Sequence, residues 1–205
     1  TFEAEGTVIA GGEFGKGFAW TLTDTGVLNV TGNGNMPKFN VNTTPWYGYR
    51  GAIRTVVIGD GITSVGRCSF HTCRAIISIT LPETLDTIGE YAFYNCTGLT
   101  AIRVPAQVAS IPDYAFKNCT ALVALDLPST VTVLGSYAFY GCTGLTGIDL
   151  PDSLTSIGQY AFYGCTSIES VSISGSVITI GNEAFQNCSN LTEVHCEGGM
   201  PSFNA

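Results

Sequence analysis

Charged residues are scarce in this chain, and basic residues are the scarcest of them. Only 12% of the 205 residues are charged, and 16 acidic residues against 8 Lys and Arg give a formal net charge of −8. Nucleic-acid binding requires a basic face that displaces counterions, so we expect no nucleic-acid partner. No apolar run reaches about 18 residues, which argues against a transmembrane helix and predicts no membrane insertion. The amino terminus also lacks the basic and apolar segment of a signal peptide, and its start at Thr1 suggests a mature or trimmed chain.

What the sequence does contain is a repeat of 23 residues. The stretch 88–110 reads IGEYAFYNCTGLTAIRVPAQVAS, and related units occupy 65–87, 111–133, 134–156 and 157–179, with a last one from 180. Six consecutive units in one register, without an insertion, indicate a tandem array. A period of about 20–29 residues with one Leu- or Ile-rich strand in each unit is typical of a leucine-rich-repeat solenoid.

Each position of the repeat has its own physical role. Phe and Cys are three residues apart, a spacing that shares one helical face, so AF-x-x-C is predicted to be a short helical turn. The L-x-x-I-x-L segment that follows has period two, so Ile102 and Val104 should point inward from a strand and Arg103 outward. Proline removes a backbone donor and should end each strand. These prolines are Pro82, Pro105, Pro128 and Pro151.

These positions predict an α/β solenoid with a parallel sheet of about seven strands on its concave face, and a right-handed superhelix. One unit cannot bury its apolar face alone, so the units must stack. Residues 17–32 alternate around a turn at 24–26, which predicts a β-hairpin. We therefore expect an N-terminal β cap with a degenerate first repeat at 1–50. The solenoid should span 51–205, with six repeats at 65–202.

The carboxyl end shows no comparable cap in the sequence. Two interpretations stay open. The chain is a fragment of a longer array, or its last coil is covered by a partner or by a second copy. The second interpretation would mean self-association through the uncapped C-terminal coil.

Eight cysteines are present, a number that first suggests disulfide bonds. Six of them instead fill one repeat position, where neighbouring coils lie about 4.8 Å apart and every thiol has identical neighbours. No unique pairing follows, so we interpret them as buried free thiols that pack as small apolar side chains. Cys196 falls on an inward strand position and is expected in the core, whereas Cys68, in a tyrosine position, should be the most exposed thiol. The six are Cys73, Cys96, Cys119, Cys142, Cys165 and Cys188.

The unit IGxYAFxxCTxLTxIxLPxxLTS resembles the BspA-like leucine-rich repeats of bacterial surface proteins, which also occur in some mucosal protists. WTLTDTGVLNVTGNGNMP, followed by TPWYGYR and TVVIGDGITSVG, is similar to the cap of such proteins, so the resemblance spans 17–202. The chain departs from the broader pattern L-x-x-L-x-L-x-x-N, because Gln107 and Thr130 stand where Asn would. The resemblance implies an exported surface or secreted protein, often linked to adhesion to host matrix proteins or other cells, without implying a particular ligand.

The sequence offers no catalytic constellation. Its two histidines, His71 and His195, belong to opposite faces and lie five coils apart, roughly 25 Å at strand spacing. His195 and Cys196 are neighbours on a strand, so their side chains diverge, whereas a Cys–His dyad needs them within about 3 Å. G-x-S-x-G and a phosphate-binding loop are both missing. We therefore predict no enzymatic activity and no cofactor.

The outward side chains of the predicted concave sheet form the candidate ligand-binding surface. Asp126 and Asp149 should repel each other at about 5 Å on neighbouring strands. Together with Asp152 they form either a weak Ca²⁺ site or a solvated acidic patch, and we favour the patch because six or more oxygen ligands are not apparent. The candidate binding residues are Thr80, Arg103, Asp126, Asp149, Ser172 and His195.

Two rows of tyrosines compete with this surface. Exposed Tyr gives amphipathic contact area at low entropic cost and suits a recognition surface. The alternative is structural, with each ring lying over the neighbouring coil and bonding through its hydroxyl. The rows are Tyr91, Tyr114, Tyr137 and Tyr160, and Tyr94, Tyr140 and Tyr163.

We thus expect a non-enzymatic binding module that is extracellular, either secreted or anchored at the cell surface. Its partner would be a protein or a glycan, bound through the solenoid surface during adhesion to host matrix or to other cells. The alternative function is a structural stalk or spacer that holds another domain away from the cell surface.

Overall fold

The computed structural model of the protein describes residues 6–198 and 202–203. Consecutive 23-residue units stack as coils, and strands of neighbouring coils pair in parallel, as Ala101 does with Ala124. The predicted leucine-rich-repeat solenoid is therefore confirmed. The strands in chain order are β1 (Val8–Phe14), β2 (Phe18–Thr23), β3 (Val27–Thr31), β4 (Gly34–Asn35), β5 (Thr55–Ile58), β6 (Ile62–Val65), β7 (Ser78–Thr80), β8 (Thr87–Ile88), β9 (Ala101–Arg103), β10 (Ser110–Ile111), β11 (Ala124–Asp126), β12 (Val133–Leu134), β13 (Ser156–Ile157), β14 (Ser170–Ile173), β15 (Thr179–Ile180), β16 (Glu193–Cys196) and β17 (Ser202–Phe203).

One side of the solenoid, which we call the strand face, carries the strands predicted from the L-x-x-I-x-L pattern. β5 pairs with β7, β9 with β11 and β14 with β16, and a single bridge joins Ile148 to Val171. The expected continuous sheet is instead interrupted. In the part of the chain that the structure describes, ladders break between β7 and β9 and between β11 and residue 148. Because β7, β9 and β11 contribute only three residues each, few hydrogen bonds hold each ladder together.

A second row of strands lies at the start of each repeat and was not predicted from the sequence. β4, β6 and β8 pair in one sheet, and β10, β12, β13, β15 and β17 pair in another. Most of these strands have two residues, of which the second is a buried Ile or Leu. The buried set is Ile88, Ile111, Leu134, Ile157 and Ile180. Most coils therefore have two strand segments rather than one, and the coil 134–156 has a single bridge at Ile148 in place of its strand-face segment.

The AF-x-x-C segment does not form the predicted helical turn, and the one helix in the described residues is a 3₁₀ helix at Tyr47–Tyr49. Tyr91 and Asn95 have left-handed φ values of 56° and 58°, a feature shared by the equivalent residues of the other coils. The Phe93 N–H donates to the Ala115 oxygen of the next coil at 2.9 Å. An α-helix would direct its N–H groups four residues back and leave none for the neighbouring coil. The hydrogen bonds between stacked coils therefore favour turns over a helix in this segment. The Phe and Cys side chains nevertheless point inward, as predicted.

Aromatic rings form the spine of the core. Phe93, Phe116 and Phe139 are fully buried and stacked, with successive ring centroids 5.0 and 5.3 Å apart. Trp46 extends the stack toward the amino end, 5.6 Å from the Phe70 ring. The stack thus runs without a break from the first coil into the amino-terminal segment.

The amino-terminal strands close the end of this core. β1 pairs antiparallel with β2, and β2 pairs antiparallel with β3, placing Leu22 opposite Leu28. The hairpin predicted at 17–32 is therefore present as β2 and β3. β3 then pairs in parallel with β5, setting Leu28 beside Val56, so the antiparallel sheet continues directly into the solenoid.

A column of glycines sets the distance between coils. A Cβ at Gly158 would lie 2.5 Å from the Gly135 carbonyl carbon and 2.5 Å from the Ser136 nitrogen. Side-chain carbons do not approach backbone that closely, so glycine is favoured where the backbones come together, although Pro112 occupies the equivalent position of one coil. The same close approach occurs at the equivalent positions Gly66, Gly89, Gly135 and Gly181.

Candidate functional site

All six predicted binding residues are exposed on the strand face. The structure brings three of them together, because Arg103, Asp126 and Asp149 line one depression of about 440 Å³. The other three stand outside it. Thr80 lies on β7, while Ser172 on β14 is aligned with His195 on β16. The predicted row therefore exists, and its middle forms a depression on the scale of a side chain.

Arg103 is the cationic centre of this depression. Its guanidinium donates a hydrogen bond to Glu83 Oε1, and its Nε lies 3.6 Å from Asp126 Oδ2 on the paired strand. The hydrogen bond to Glu83 raises the pKa of Arg103, so the group stays charged. The pairing reduces the predicted repulsion between Asp126 and Asp149, because one of the two carboxylates has a cation beside it.

The predicted calcium alternative gains no support from the geometry. Among the described residues, no group of three or more His, Cys, Asp or Glu side chains is arranged to hold a metal ion. Asp152 therefore does not complete a site with Asp126 and Asp149. The acidic patch, partly neutralised by Arg103, is the arrangement present.

Exposed apolar residues beside the charges were missed in the sequence. Val123 lines the depression and is 52% exposed, and Ile77 is 50% exposed two coils away in the same column. The sequence did contain a signal for this apolar area. At the repeat position just before each strand, these two coils have Ile77 and Val123 where the other repeats have Thr or Glu. Gly147 also lines the depression, and a Cβ there would meet nothing within 4 Å. The depression thus combines apolar area with paired charges.

The tyrosine rows lie on the turns that carry the left-handed residues, a surface that we call the turn face. Tyr114 and Tyr137 stack with centroids 4.8 Å apart, and Tyr140 and Tyr163 stack at the same distance. The ammonium of Lys117 lies 4.3 Å from the centre of the Tyr140 ring, within cation–π range. Each ring is half-buried against its neighbours. The rings lie over the next coil, as the structural alternative predicted, and the predicted hydroxyl bonds are seen where Tyr160 donates to Glu183 and Tyr163 accepts from Asn187.

Residues 46–132 and 110–205 match the family model described as a BspA type Leucine rich repeat region, in six copies. The chain belongs to the BspA-type leucine-rich-repeat family. Members are repeat scaffolds that recognise proteins through extended solenoid surfaces. None of the described residues forms a long apolar helix of the kind that crosses a membrane.

Solved structures of bacterial leucine-rich-repeat proteins resemble this one. The chain is similar to TpLRR of T. pallidum, with 27% identity and a TM-score of 0.69 over 93% of this chain and 85% of that one. A cell surface protein of Faecalibacterium prausnitzii matches with 17% identity and a TM-score of 0.45, over 91% of this chain and 95% of that one. The pneumococcal antigen PcpA matches with 11% identity and a TM-score of 0.43, over 95% and 88%. No curated protein matches the chain.

The cysteine column of this BspA-type protein is a ladder of hydrogen-bonded thiols. All eight cysteines are free. The Cys119 Sγ donates to the Phe93 oxygen of the preceding coil at 3.2 Å, and the other coils repeat this bond from Cys96 to Cys188. Burial raises the pKa of Cys73 to about 12, so its thiol stays protonated at neutral pH. Protonated, buried thiols are poor nucleophiles, and the ladder is a packing element.

Two cysteine predictions were wrong, and the structure reverses them. Cys68 is only 1% exposed, because its thiol is too short to reach beyond the turn as the tyrosines of that column do. Cys196 is exposed, because β16 is the last strand of its row among the described residues. Val194 on the same strand is exposed for the same reason.

Thiol labelling should therefore separate Cys196 from the other seven. We expect an alkylating reagent to modify one thiol per native chain, and the Cys196→Ser variant to lose that modification. Even at pH 9 the ladder should stay unreactive, because burial raises the pKa of its thiols above the ordinary value. After denaturation without reductant, mass spectrometry should find all eight modified. Fewer than eight would reveal disulfides and contradict the ladder.

The histidines remain apart, as predicted from the repeat. His71 lies on the turn face and stacks on Tyr94 with centroids 4.8 Å apart. His195 lies on the strand face, with its Nε2 3.1 Å from Glu193 Oε1. Burial raises the pKa values of Cys68 and Cys73, the cysteines nearest to His71 in the chain, so neither thiol is an ionised partner for His71. The separation of the two histidines is consistent with a family of repeat scaffolds that are generally non-enzymatic.

Proposed function

We propose that this BspA-type protein is a non-enzymatic adhesion module, exported to the cell surface or secreted, that binds a protein ligand on its strand face. Family membership supports the binding role and the exported location. The depression around Arg103 supports the position of the site. It lies in the solenoid that we delimit as 51–205, beyond the amino-terminal cap that we place at 1–50.

The observation that carries this proposal is the pairing of apolar and charged groups in one depression. Val123 presents exposed apolar area, and Arg103, Asp126 and Asp149 surround it with charges of both signs. Protein interfaces combine an apolar centre with a polar rim, and Arg is enriched at them. The depression is thus suited to a side chain that inserts against Val123 while polar groups of the ligand meet the rim.

Rigidity of the strand face favours binding there. The strands are held from behind by a core of fully buried side chains such as Ile102 and Leu122. A ligand therefore does not have to order this surface, which lowers the entropic cost of association. Thr80, Ser172 and His195 extend the same surface along the array and are proposed as peripheral contacts.

Reversing the charges of the depression should weaken the binding of a protein ligand. Purified extracellular matrix proteins would be screened by surface plasmon resonance, and any ligand compared between the native chain and the double variant Arg103→Glu, Asp149→Lys. We expect affinity to fall by about tenfold or more, because the variant opposes the charges that match the partner. The exposed positions of both residues should leave stability almost unchanged.

The matched control is the double variant Tyr140→Ala, Tyr163→Ala on the turn face. Circular dichroism and urea unfolding would establish that both variants are folded. If the tyrosine variant loses binding while the charge reversal has no effect, the turn face is the recognition surface and the strand-face assignment is wrong. Failure of the native chain to bind any protein of the panel would favour the spacer role instead.

A further inference from the structure

The first coil of the array carries a second recess, which shares no lining residue with the strand-face depression. Two shallow depressions of about 380 and 460 Å³ meet here. Both are lined by Arg50, Thr72 and Arg74, so they form one continuous surface, which we call the arginine recess. It lies where the loop after the 3₁₀ helix at Tyr47–Tyr49 meets the first turn of the array.

The arginine recess is cationic although the chain carries a net charge of −8. Its described lining contains two guanidinium groups and no carboxylate. Arg74 is exposed, and within the described residues its side chain has no hydrogen-bond or ion-pair partner. Arg103 differs in this respect, because Glu83 and Asp126 already neutralise it. An unpaired guanidinium in an acidic protein attracts an anionic ligand without competition from neighbouring carboxylates.

Three lining residues of the recess break the repeat. His71 occupies a position that is Tyr, Lys or Gln in the other five repeats. Thr72 occupies a position that is Asn or Gly in them. Arg74 stands where every other coil has Thr or Ser. These substitutions cluster in one coil and line one surface, so packing requirements common to all coils do not explain them.

Thr72 also carries backbone strain. Its φ is 59°, in the left-handed region that a β-branched residue rarely adopts and that Asn or Gly tolerates. Strained residues of this kind concentrate at functional sites. Thr72 donates its hydroxyl to the His71 oxygen at 2.7 Å, which holds the side chain in a defined position.

Arg50 is held in place beside the recess before any ligand arrives. Its guanidinium lies 4.0 Å from the centre of the Tyr47 ring, and its NH1 donates to the Tyr47 oxygen at 2.9 Å. A guanidinium presents five N–H donors in a planar fork that matches carboxylate and sulfate groups, so donors remain for a ligand. Fixing the group in advance lowers the entropic cost of binding.

We propose that the arginine recess binds an acidic glycan, with Arg50 and Arg74 each contacting a sulfate or carboxylate group. The two adjoining depressions suit successive sugar units that carry negative charges. The hydroxyl of Thr72 and the side-chain amide of Asn42 also line the recess, and both groups can form hydrogen bonds with sugar hydroxyls. Arginine clusters also recognise acidic peptide motifs, so an acidic peptide is the competing ligand that the test must include.

The proposal is tested with a heparin-derived hexasaccharide and isothermal titration calorimetry on the whole protein. We expect Arg74→Gln to weaken binding by about tenfold, the usual effect of losing one charge-assisted hydrogen bond. The double variant Arg50→Gln, Arg74→Gln should weaken it further. The matched control is Lys16→Gln, Lys38→Gln, which removes the same charge at exposed residues outside the recess and should change affinity less than twofold. Arg74 has no hydrogen-bond or ion-pair partner in the part of the chain that the structure describes, so its single variant should remain folded.

Comparison of ligands identifies the anionic group. Chemical desulfation leaves the uronate carboxylates in place, so retained binding after desulfation assigns the contacts to carboxylate, and lost binding assigns them to sulfate. Either result supports the proposal, provided that a neutral oligosaccharide does not bind. Equal loss of affinity in the lysine control would show a diffuse charge effect and overturn the site. Equal binding of poly-glutamate would overturn the glycan assignment.

The strand-face variant distinguishes this inference from the proposed function. Arg103→Glu with Asp149→Lys should leave hexasaccharide binding within about twofold, because none of these residues lines the recess. Loss of binding in that variant would show that the glycan occupies the strand face and would overturn the separate site.

Discussion

Replacing Phe139 by Ala should lower the free energy of unfolding by about 3–5 kcal/mol. Phe139 is fully buried in the middle of the array, and its ring stacks 5.3 Å from both Phe116 and Phe162. The truncation removes the buried ring and leaves a cavity that both neighbouring coils border. Because the backbone bonds between coils fix their spacing, the site cannot collapse to fill it. Urea unfolding followed by circular dichroism measures the change.

Tyr140→Ala is the matched control, because it removes a ring from the adjacent residue. Tyr140 is half-buried and stacks on Tyr163 at 4.8 Å, on a surface that water already reaches. We expect a cost of about 1 kcal/mol, the usual contribution of an aromatic pair. Equal costs for the two variants would mean that the inward and outward positions of the turn are wrongly assigned.

Adding a single methyl group at Gly158 should destabilise the protein by about 3 kcal/mol, although Ala is otherwise the better helix and strand residue. The new Cβ would lie 2.5 Å from backbone atoms of Gly135 and Ser136, which cannot rotate away as a flexible side chain would. The coils must separate locally, and the Gly158 N–H bond to the Leu134 oxygen, now 2.8 Å, should lengthen. Urea unfolding of Gly158→Ala measures the cost.

Gly147→Ala provides the control for this effect. Gly147 has open space around its would-be Cβ, and its φ lies outside the left-handed region. We expect a change between zero and a stabilisation of about 1 kcal/mol, because Ala restricts the unfolded chain more than Gly does. If both glycine variants lost the same stability, the spacing of the coils would not depend on the glycine column.

The two proposed sites have opposite electrostatic character. Around Arg103 on the strand face, carboxylates outnumber the cation, whereas the described lining of the arginine recess around Arg50 and Arg74 contains no carboxylate. If both proposals hold, a matrix component that carries both a protein and an acidic glycan would present a ligand for each surface. Linked contacts of this kind raise overall affinity through effective concentration, provided that the ligand spans both sites.

Part of the candidate site could be predicted from the sequence. The alternation around Arg103 correctly placed it and Asp126 outward on the strand face. The exposure of Val123 and the open space beside Gly147 were not predicted. A depression forms where the residues of neighbouring coils have small side chains, and this depends on how the coils are placed side by side. The arginine recess left a signal in the sequence, since Arg74 breaks its repeat position. Recognising it as a surface required the structure, because Arg50 reaches it from a different coil.

The stacking of the units and the inward positions follow from the sequence alone, because the repeat of 23 residues places Phe, Cys and either Leu or Ile at the same positions of all six repeats. Hydrophobic period alone distinguishes inward from outward side chains. The tertiary structure decided what depends on the neighbouring coil. It replaced the predicted helical turns with left-handed turns, because the N–H groups of residues such as Phe93 bond the next coil. It also buried Cys68 and exposed Cys196, because burial depends on what packs above a position as well as on the position itself.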